Sequence, residues 1–175
     1  MKKSIGMVAA LVCLTCNAMA EQRVGPFVTG MASSGDESGS AFGVGLNYEW
    51  LFNQTLGIDV HAGYLSDGDV GLIPLEFGPV VVFPSDPISI TLGAGAVYGK
   101  PTDGDIDPAL GFYGSAGVRC PVSDGVEWFA EAQYVSLKGD DKETTTYFRN
   151  GYSTISQPHL DISAFGLNLG VLWEF

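Results

Sequence analysis

The sequence predicts an all-β fold, an eight-stranded antiparallel up-and-down transmembrane β-barrel. Three observations lead there. Large apolar side chains recur at every second position in eight separate runs; the links between runs alternate between short and longer; and lysine and arginine are scarce within the runs. A two-residue period marks a strand with one apolar face. An even number of strands joined by links of alternating length fits a barrel that crosses a membrane.

The chain of 175 residues opens with Lys2 and Lys3, continues through an apolar run from Ile5 to Leu14, and reaches Ala18-Met19-Ala20. A positive end, a short apolar segment and small residues before a cut make residues 1–20 a secretory signal peptide, too short to span a membrane as a helix. Val12 and Thr15 precede Cys13 and Cys16, where a lipoprotein site would place a small residue, so no lipid anchor is expected. Loss of this segment leaves Cys120 alone and excludes an internal disulfide framework. Residues 21–175 then form one domain. Its net charge goes from −12 to −14 once Lys2 and Lys3 are removed, which speaks against nucleic acid as a partner.

The first run, Arg23 to Ala32, is the weakest and carries Phe27, Gly30 and Met31. In the second, Phe42, Val44, Leu46, Tyr48 and Trp50 alternate with Ala41, Gly43, Gly45, Asn47 and Glu49. The third sets Leu56, Ile58, Val60, Ala62 and Tyr64 against Thr55, Gly57, Asp59, His61 and Gly63. Ile73, Leu75, Phe77, Val81 and Phe83 share one face of the fourth, with Glu76 and Gly78 opposite. The fifth has Ile88, Ile90, Leu92, Ala94, Ala96 and Tyr98 against Ser89, Thr91, Gly93 and Gly95. The sixth sets Phe112, Ala116, Val118 and Cys120 against Tyr113, Ser115, Gly117 and Arg119; the seventh sets Val126, Trp128, Ala130, Ala132 and Tyr134 against Glu127, Phe129, Glu131 and Gln133. The closing run has Phe165, Leu167, Leu169, Val171, Trp173 and Phe175 on one face.

Links 51–54, 84–87 and 121–125 are tight, whereas 33–40, 66–71, 99–109 and 138–160 are mostly longer and rich in Asp, Gly and Ser. In outer-membrane barrels the short turns lie in the periplasm and the loops outside.

Periodicity alone does not say whether the apolar face looks in or out. Charge placement does. After the signal there are six basic residues, and Arg119 is the one inside a clear run. A water-facing wall needs far more charge, while the Gly, Ala, Ser and Thr of the other face suit the crowded lumen of a small barrel. Trp50, Phe83, Trp128, Trp173 and Phe175 would form a periplasmic aromatic girdle, and Tyr64, Tyr98, Phe112 and Tyr134 an external one. A strand such as Phe42 to Trp50, tilted by about 40°, rises roughly 20 Å, close to the apolar band of such barrels. Lipid is therefore the expected medium of the apolar face. A closed sheet also leaves no unpaired edge in hydrocarbon.

In this architecture, and in its ending "LNLGVLWEF", the chain resembles the small eight-stranded outer-membrane barrels, the opacity-protein-like barrels and the OmpA-like transmembrane domain. The resemblance implies export to the outer membrane and contact with its lipid and lipopolysaccharide. It also implies handover to the barrel-assembly machinery through the C-terminal strand and Phe175.

Asp59, His61, Glu76, Arg119, Glu127 and Glu131 are the candidate luminal polar network. A turn centred on Ser123 would set Arg119 across from Glu127, and a luminal ion pair that fills the barrel is the leading reading, since buried charge needs a partner. A narrow conducting path is the alternative, with Gly43, Gly45, Gly57, Gly93, Gly95 and Gly117 leaving room for water. Catalysis by a lipid-modifying enzyme is a distant third: His159 and Ser163 share a parity, but no base-nucleophile-oxyanion constellation accompanies them. No cofactor or metal is assigned. Asp103, Asp105 and Asp107 mimic a calcium loop, but Pro108 and Gly114 stand where Gly and Glu are needed. Together with Asp36, Glu37, Asp67 and Asp69 they could instead hold divalent cations against lipopolysaccharide phosphates.

The link 138–160, with Thr144, Thr145, Thr146, Tyr147, Phe148, Tyr152 and Ile155, is the candidate surface for a partner, or else a β-extension above the membrane. The expected role is structural or surface-interacting, adhesin-like, and carried by the outer loops.

Overall fold

The computed structural model of the chain describes residues 21–33, 39–68, 71–102, 107–139, 143–148, 151–156 and 161–175. Residues 1–20, read as the signal, lie outside the described residues, as do Asp36, Glu37, Asp69, Asp103, Asp105 and His159.

Eight strands close into an antiparallel barrel: β1 (Glu21–Ser33), β2 (Ser40–Leu51), β3 (Leu56–Ser66), β4 (Gly71–Phe83), β5 (Ser89–Pro101), β6 (Ala109–Ser123), β7 (Val126–Lys138) and β10 (Asp161–Glu174). Each pairs with its neighbours in chain order. The last closes on the first through a ladder from Arg23↔Glu174 to Ser33↔Ala164. Between β7 and β10, β8 (Glu143–Phe148) and β9 (Gly151–Ser156) pair only with each other, as a separate two-stranded sheet. Among its described residues, the segment 138–160 therefore contains a hairpin, β8–β9, that is separate from the barrel ladder.

The period-two pattern decides which way each side chain faces. Val44, Leu46, Leu75, Phe77, Ile90, Leu92, Leu167 and Leu169 are exposed on the outer wall, while Asn47, Glu49, Asp59, Glu76, Thr91, Glu131 and Asn168 are buried within. This is the reverse of a barrel that carries a ligand through water. β1 hides its pattern because both faces carry apolar residues: Pro26 and Val28 point out, Phe27 and Thr29 point in.

The small residues of the inner face are occupied space. A Cβ on Gly45 would lie 2.5 Å from the ring of Phe27, one on Gly57 2.7 Å from Leu51 Cδ2, and one on Gly117 2.8 Å from Thr91 Oγ1. On Gly43 and Gly95 it would meet backbone carbonyls of the next strand at 2.1 and 2.2 Å, and on Gly93 the Ser115 hydroxyl at 2.6 Å. At each of these glycines a side chain would collide with a neighbouring side chain or strand. Neighbouring side chains and strand backbone fill the space they leave, as aromatic side chains do over strand glycines elsewhere.

The buried apolar residues form small clusters above and below the polar ones. Val97, Ala109, Tyr113, Val135 and Leu137 gather toward the end with the longer links, with Met31, Leu72 and Ile162 packed on them. Toward the short turns lie Phe27, Phe129 and Leu172, and separately Leu51, Val80 and Val82. Along β7 the inward sequence makes this layering plain: Phe129, then Glu131 and Gln133, then Val135 and Leu137.

The turn between β6 and β7 corrects the register expected from sequence. Ser123 pairs with Val126, so the turn residues are Asp124 and Gly125, and Gly125 sits at φ +70°. Asp-Gly is favoured in such two-residue turns because glycine takes positive φ without a steric penalty. With a bulge between Pro121 and Ser123, Arg119 lies opposite Phe129, and Glu127 lies opposite Pro121.

Candidate functional site

Two rows of polar side chains face each other across the lumen. On one wall Asn47, His61 and Glu76 are consecutive cross-strand partners on β2, β3 and β4. His61 Nδ1 lies 3.1 Å from Glu76 Oε2, and Nε2 lies 2.7 Å from Asn47 Nδ2 and 3.2 Å from Asp59 Oδ2. On the facing wall Asn168 of β10 pairs with Glu131 of β7, and its Nδ2 donates to Glu131 Oε1 at 3.0 Å and to Gln133 Oε1 at 2.8 Å. In-register alternation explains both rows: residues of one parity on adjacent strands stack as a rung. The Phe27 ring covers His61, with centroids 5.4 Å apart.

Arg119 does not pair with Glu127. Its guanidinium reaches across the barrel and donates in a fork to Glu49, Nη1 to Oε1 at 2.6 Å and Nη2 to Oε2. β6 and β2 are four strands apart whichever way the ring is followed, so the pair joins opposite walls. Arg23 takes Glu127 instead, Nη1 to Oε2 at 2.6 Å, and also binds Glu21. The turn shift accounts for the exchange: sliding Glu127 away from Arg119 brings it to the rim, where Arg23 stands.

Of the residues named from sequence, Asp59, His61, Glu76, Arg119 and Glu131 are buried in the lumen, and Glu127 is partly exposed at its rim. Sequence reasoning missed Glu49, Asn47, Asn168, Gln133 and Arg23 as network members. The signal for Glu49 was present, since it shares the inward parity of the second run and stands opposite Asp59.

Trp50, Phe83, Trp128, Trp173 and Phe175 are exposed on the outer wall toward the short turns; Tyr64, Tyr98 and Phe112 are exposed toward the longer links. Tyr134 lies between Phe112 and Phe165, with ring centroids 6.2 and 5.0 Å away. Ser163 sits at the outer end of β10 opposite Ser136, and its sequence companion His159 lies outside the described residues.

Solved structures share this architecture. Neisserial surface protein A has a TM-score of 0.64 at 17% identity, over 89% of this chain and 97% of that one. The outer membrane protein OprG from Pseudomonas aeruginosa has 0.62 at 12% identity, over 92% and 98%. Ail, the attachment invasion locus protein of Yersinia pestis, has 0.55 at 14% identity, over 89% and 97%. At such identities the likeness shows the fold. No curated protein matches the sequence. The family described as outer membrane protein beta-barrel domain matches residues 6–175. With a closed eight-stranded barrel that is apolar outside and polar within, the chain belongs to the family of outer membrane protein beta-barrel domains.

Proposed function

We propose that this chain is a surface-contact protein of the outer membrane, neither a conductor nor an enzyme, whose longer connections face the exterior. The observation that carries the reading is the β8–β9 hairpin, a sheet of its own carried on a closed barrel. Loops displayed by a rigid scaffold commonly hold function, and the fold neighbour Ail is named an attachment invasion locus protein. The Arg119–Glu49 fork and the apolar clusters on either side of the polar layer support a filled lumen over a narrow channel.

In the same reading residues 1–20 direct export and the closing strand delivers the chain to the assembly machinery. The aromatic side chains at the two rims anchor the barrel in lipid and lipopolysaccharide. Two measurements test it. Cells displaying the barrel should bind immobilised matrix protein or lipopolysaccharide more than cells displaying a variant without residues 143–156. Planar bilayers containing the purified barrel should show no reproducible single-channel steps. Equal binding by the deletion variant, or steady conductance, would overturn the corresponding half of the reading.

A further inference from the structure

Among the described residues, four buried carboxylates, Glu49, Asp59, Glu76 and Glu131, share the lumen with two buried side chains able to carry positive charge, Arg119 and His61. Arg119 is held by Glu49. Asp59, Glu76 and Glu131 are left around one imidazole, a surplus of negative charge even if that ring is fully protonated. Charge buried away from water requires a counter-charge.

The geometry of the cluster matches what a metal ion needs. Asp59, His61 and Glu131 each offer one ligand atom, and these atoms all lie within 4.8 Å of one another. An ion with bonds of about 2.1 Å holds its ligands roughly 3.0–3.4 Å apart. His61 Nε2 and Asp59 Oδ2 already stand 3.2 Å apart, and Glu131 closes on them from the opposite wall. With Nδ1–H donating to Glu76 Oε2 at 3.1 Å, Nε2 carries the lone pair, which accepts from Asn47 Nδ2 at 2.7 Å, a contact that a bound ion would replace. A carboxylate behind the imidazole is the usual orienting partner of a metal-bound histidine.

A second observation points the same way. Asp59 Oδ1, Asn47 Oδ1 and Asn168 Oδ1 are buried and have no hydrogen-bond partner among the described residues, in side chains no more than 3% exposed. Buried polar atoms are normally satisfied. Asn47 Nδ2 lies against His61 Nε2 and Asn168 Nδ2 donates to Glu131, so both carboxamides pack on the cluster, and Asp59 Oδ1 belongs to one of the cluster's own carboxylates. Surplus acceptors combined with surplus negative charge are the complement of a cation.

We propose that the lumen binds a divalent transition-metal ion, with Asp59, His61 and Glu131 as ligands and Glu76 orienting the imidazole. One nitrogen among carboxylate oxygens suits zinc, manganese or ferrous iron better than calcium. Bound there, the ion links β3 to β7, which stand on opposite walls.

The test uses the whole chain without its signal, refolded in detergent with zinc and then stripped of free metal by a chelator. Metal analysis should find about one zinc per barrel, and X-ray absorption should show an imidazole nitrogen among oxygens. His61→Gln and Asp59→Asn should lose the ion while keeping the different gel mobility of unheated barrels. Asp103→Asn combined with Asp105→Asn and Asp107→Asn should keep it. Should a variant not fold, the absorption spectrum of the unmodified chain still decides. An all-oxygen shell would place the zinc on loop acids and overturn the proposal. No retained zinc would also overturn it, leaving protons to neutralise the cluster.

Discussion

Arg119 and Glu49 meet across the full width of the barrel, from strands on opposite walls and 70 positions apart in sequence. Removing one partner of a buried pair strands the other charge, at a cost of about 3–5 kcal/mol. Arg119→Leu should therefore lower stability in denaturant titrations by that order. Arg119→Lys should recover only part of the loss, because a point ammonium does not reproduce the fork. The double variant Arg119→Leu with Glu49→Leu should be more stable than Arg119→Leu alone, since a buried Glu49 is then not left with Arg23, 4.0 Å away, as its ion-pair partner.

Gly45 lies under the Phe27 ring. A methyl group there would stand 2.5 Å from Phe27 Cζ and 2.6 Å from the Ala62 carbonyl oxygen. Gly45→Ala should destabilise the barrel by about 1–3 kcal/mol, the usual range for overpacking. Adding Phe27→Ala should restore only part of this, because the backbone contact remains. Urea titration of the three variants in lipid vesicles checks the order.

The outer wall should respond to charge according to depth. Leu167 is exposed near the middle of β10, opposite Ala132, whereas Leu110 is exposed near the outer end of β6, opposite Lys138. An arginine at the midplane of such a barrel costs about 2–4 kcal/mol and one near the interface about 0–1 kcal/mol. Leu167→Arg should thus cost more than Leu110→Arg in vesicles. Equal costs would mean that Leu167 does not face hydrocarbon.

Replacing residues 143–156 by a short Gly-Ser link should leave the barrel folded, because β8 and β9 pair only with each other. Unheated samples of the shortened protein should keep the gel mobility of a folded barrel. Loss of that mobility would mean that the hairpin supports the barrel.

Much of this arrangement was legible in the sequence. Seven of the runs show their lipid face directly, since period two leaves Leu46 and Leu92 outward whatever the register. β1 was obscure because Phe27 packs inward over Gly45 while Pro26 and Val28 face out, so no parity stands alone. The partner of Arg119 was illegible for a different reason. Moving the turn to Asp124-Gly125 changed which residue stands across the ladder, and only the curvature of the closed sheet brings β6 and β2 face to face. The candidate metal ligands are hidden in the same way: Asp59 and His61 are neighbours in the sequence pattern, but Glu131 joins them only by closure.

That dependence on closure has a kinetic side. The contacts between β2 or β3 and β6 or β7 join opposite walls, which the pairing of β1 with β10 holds face to face. Interactions formed after the rate-limiting step slow escape from the native state more than they hasten arrival. The luminal crosslinks should therefore act as a latch. A barrel deprived of them should assemble at nearly its normal speed and come apart much sooner.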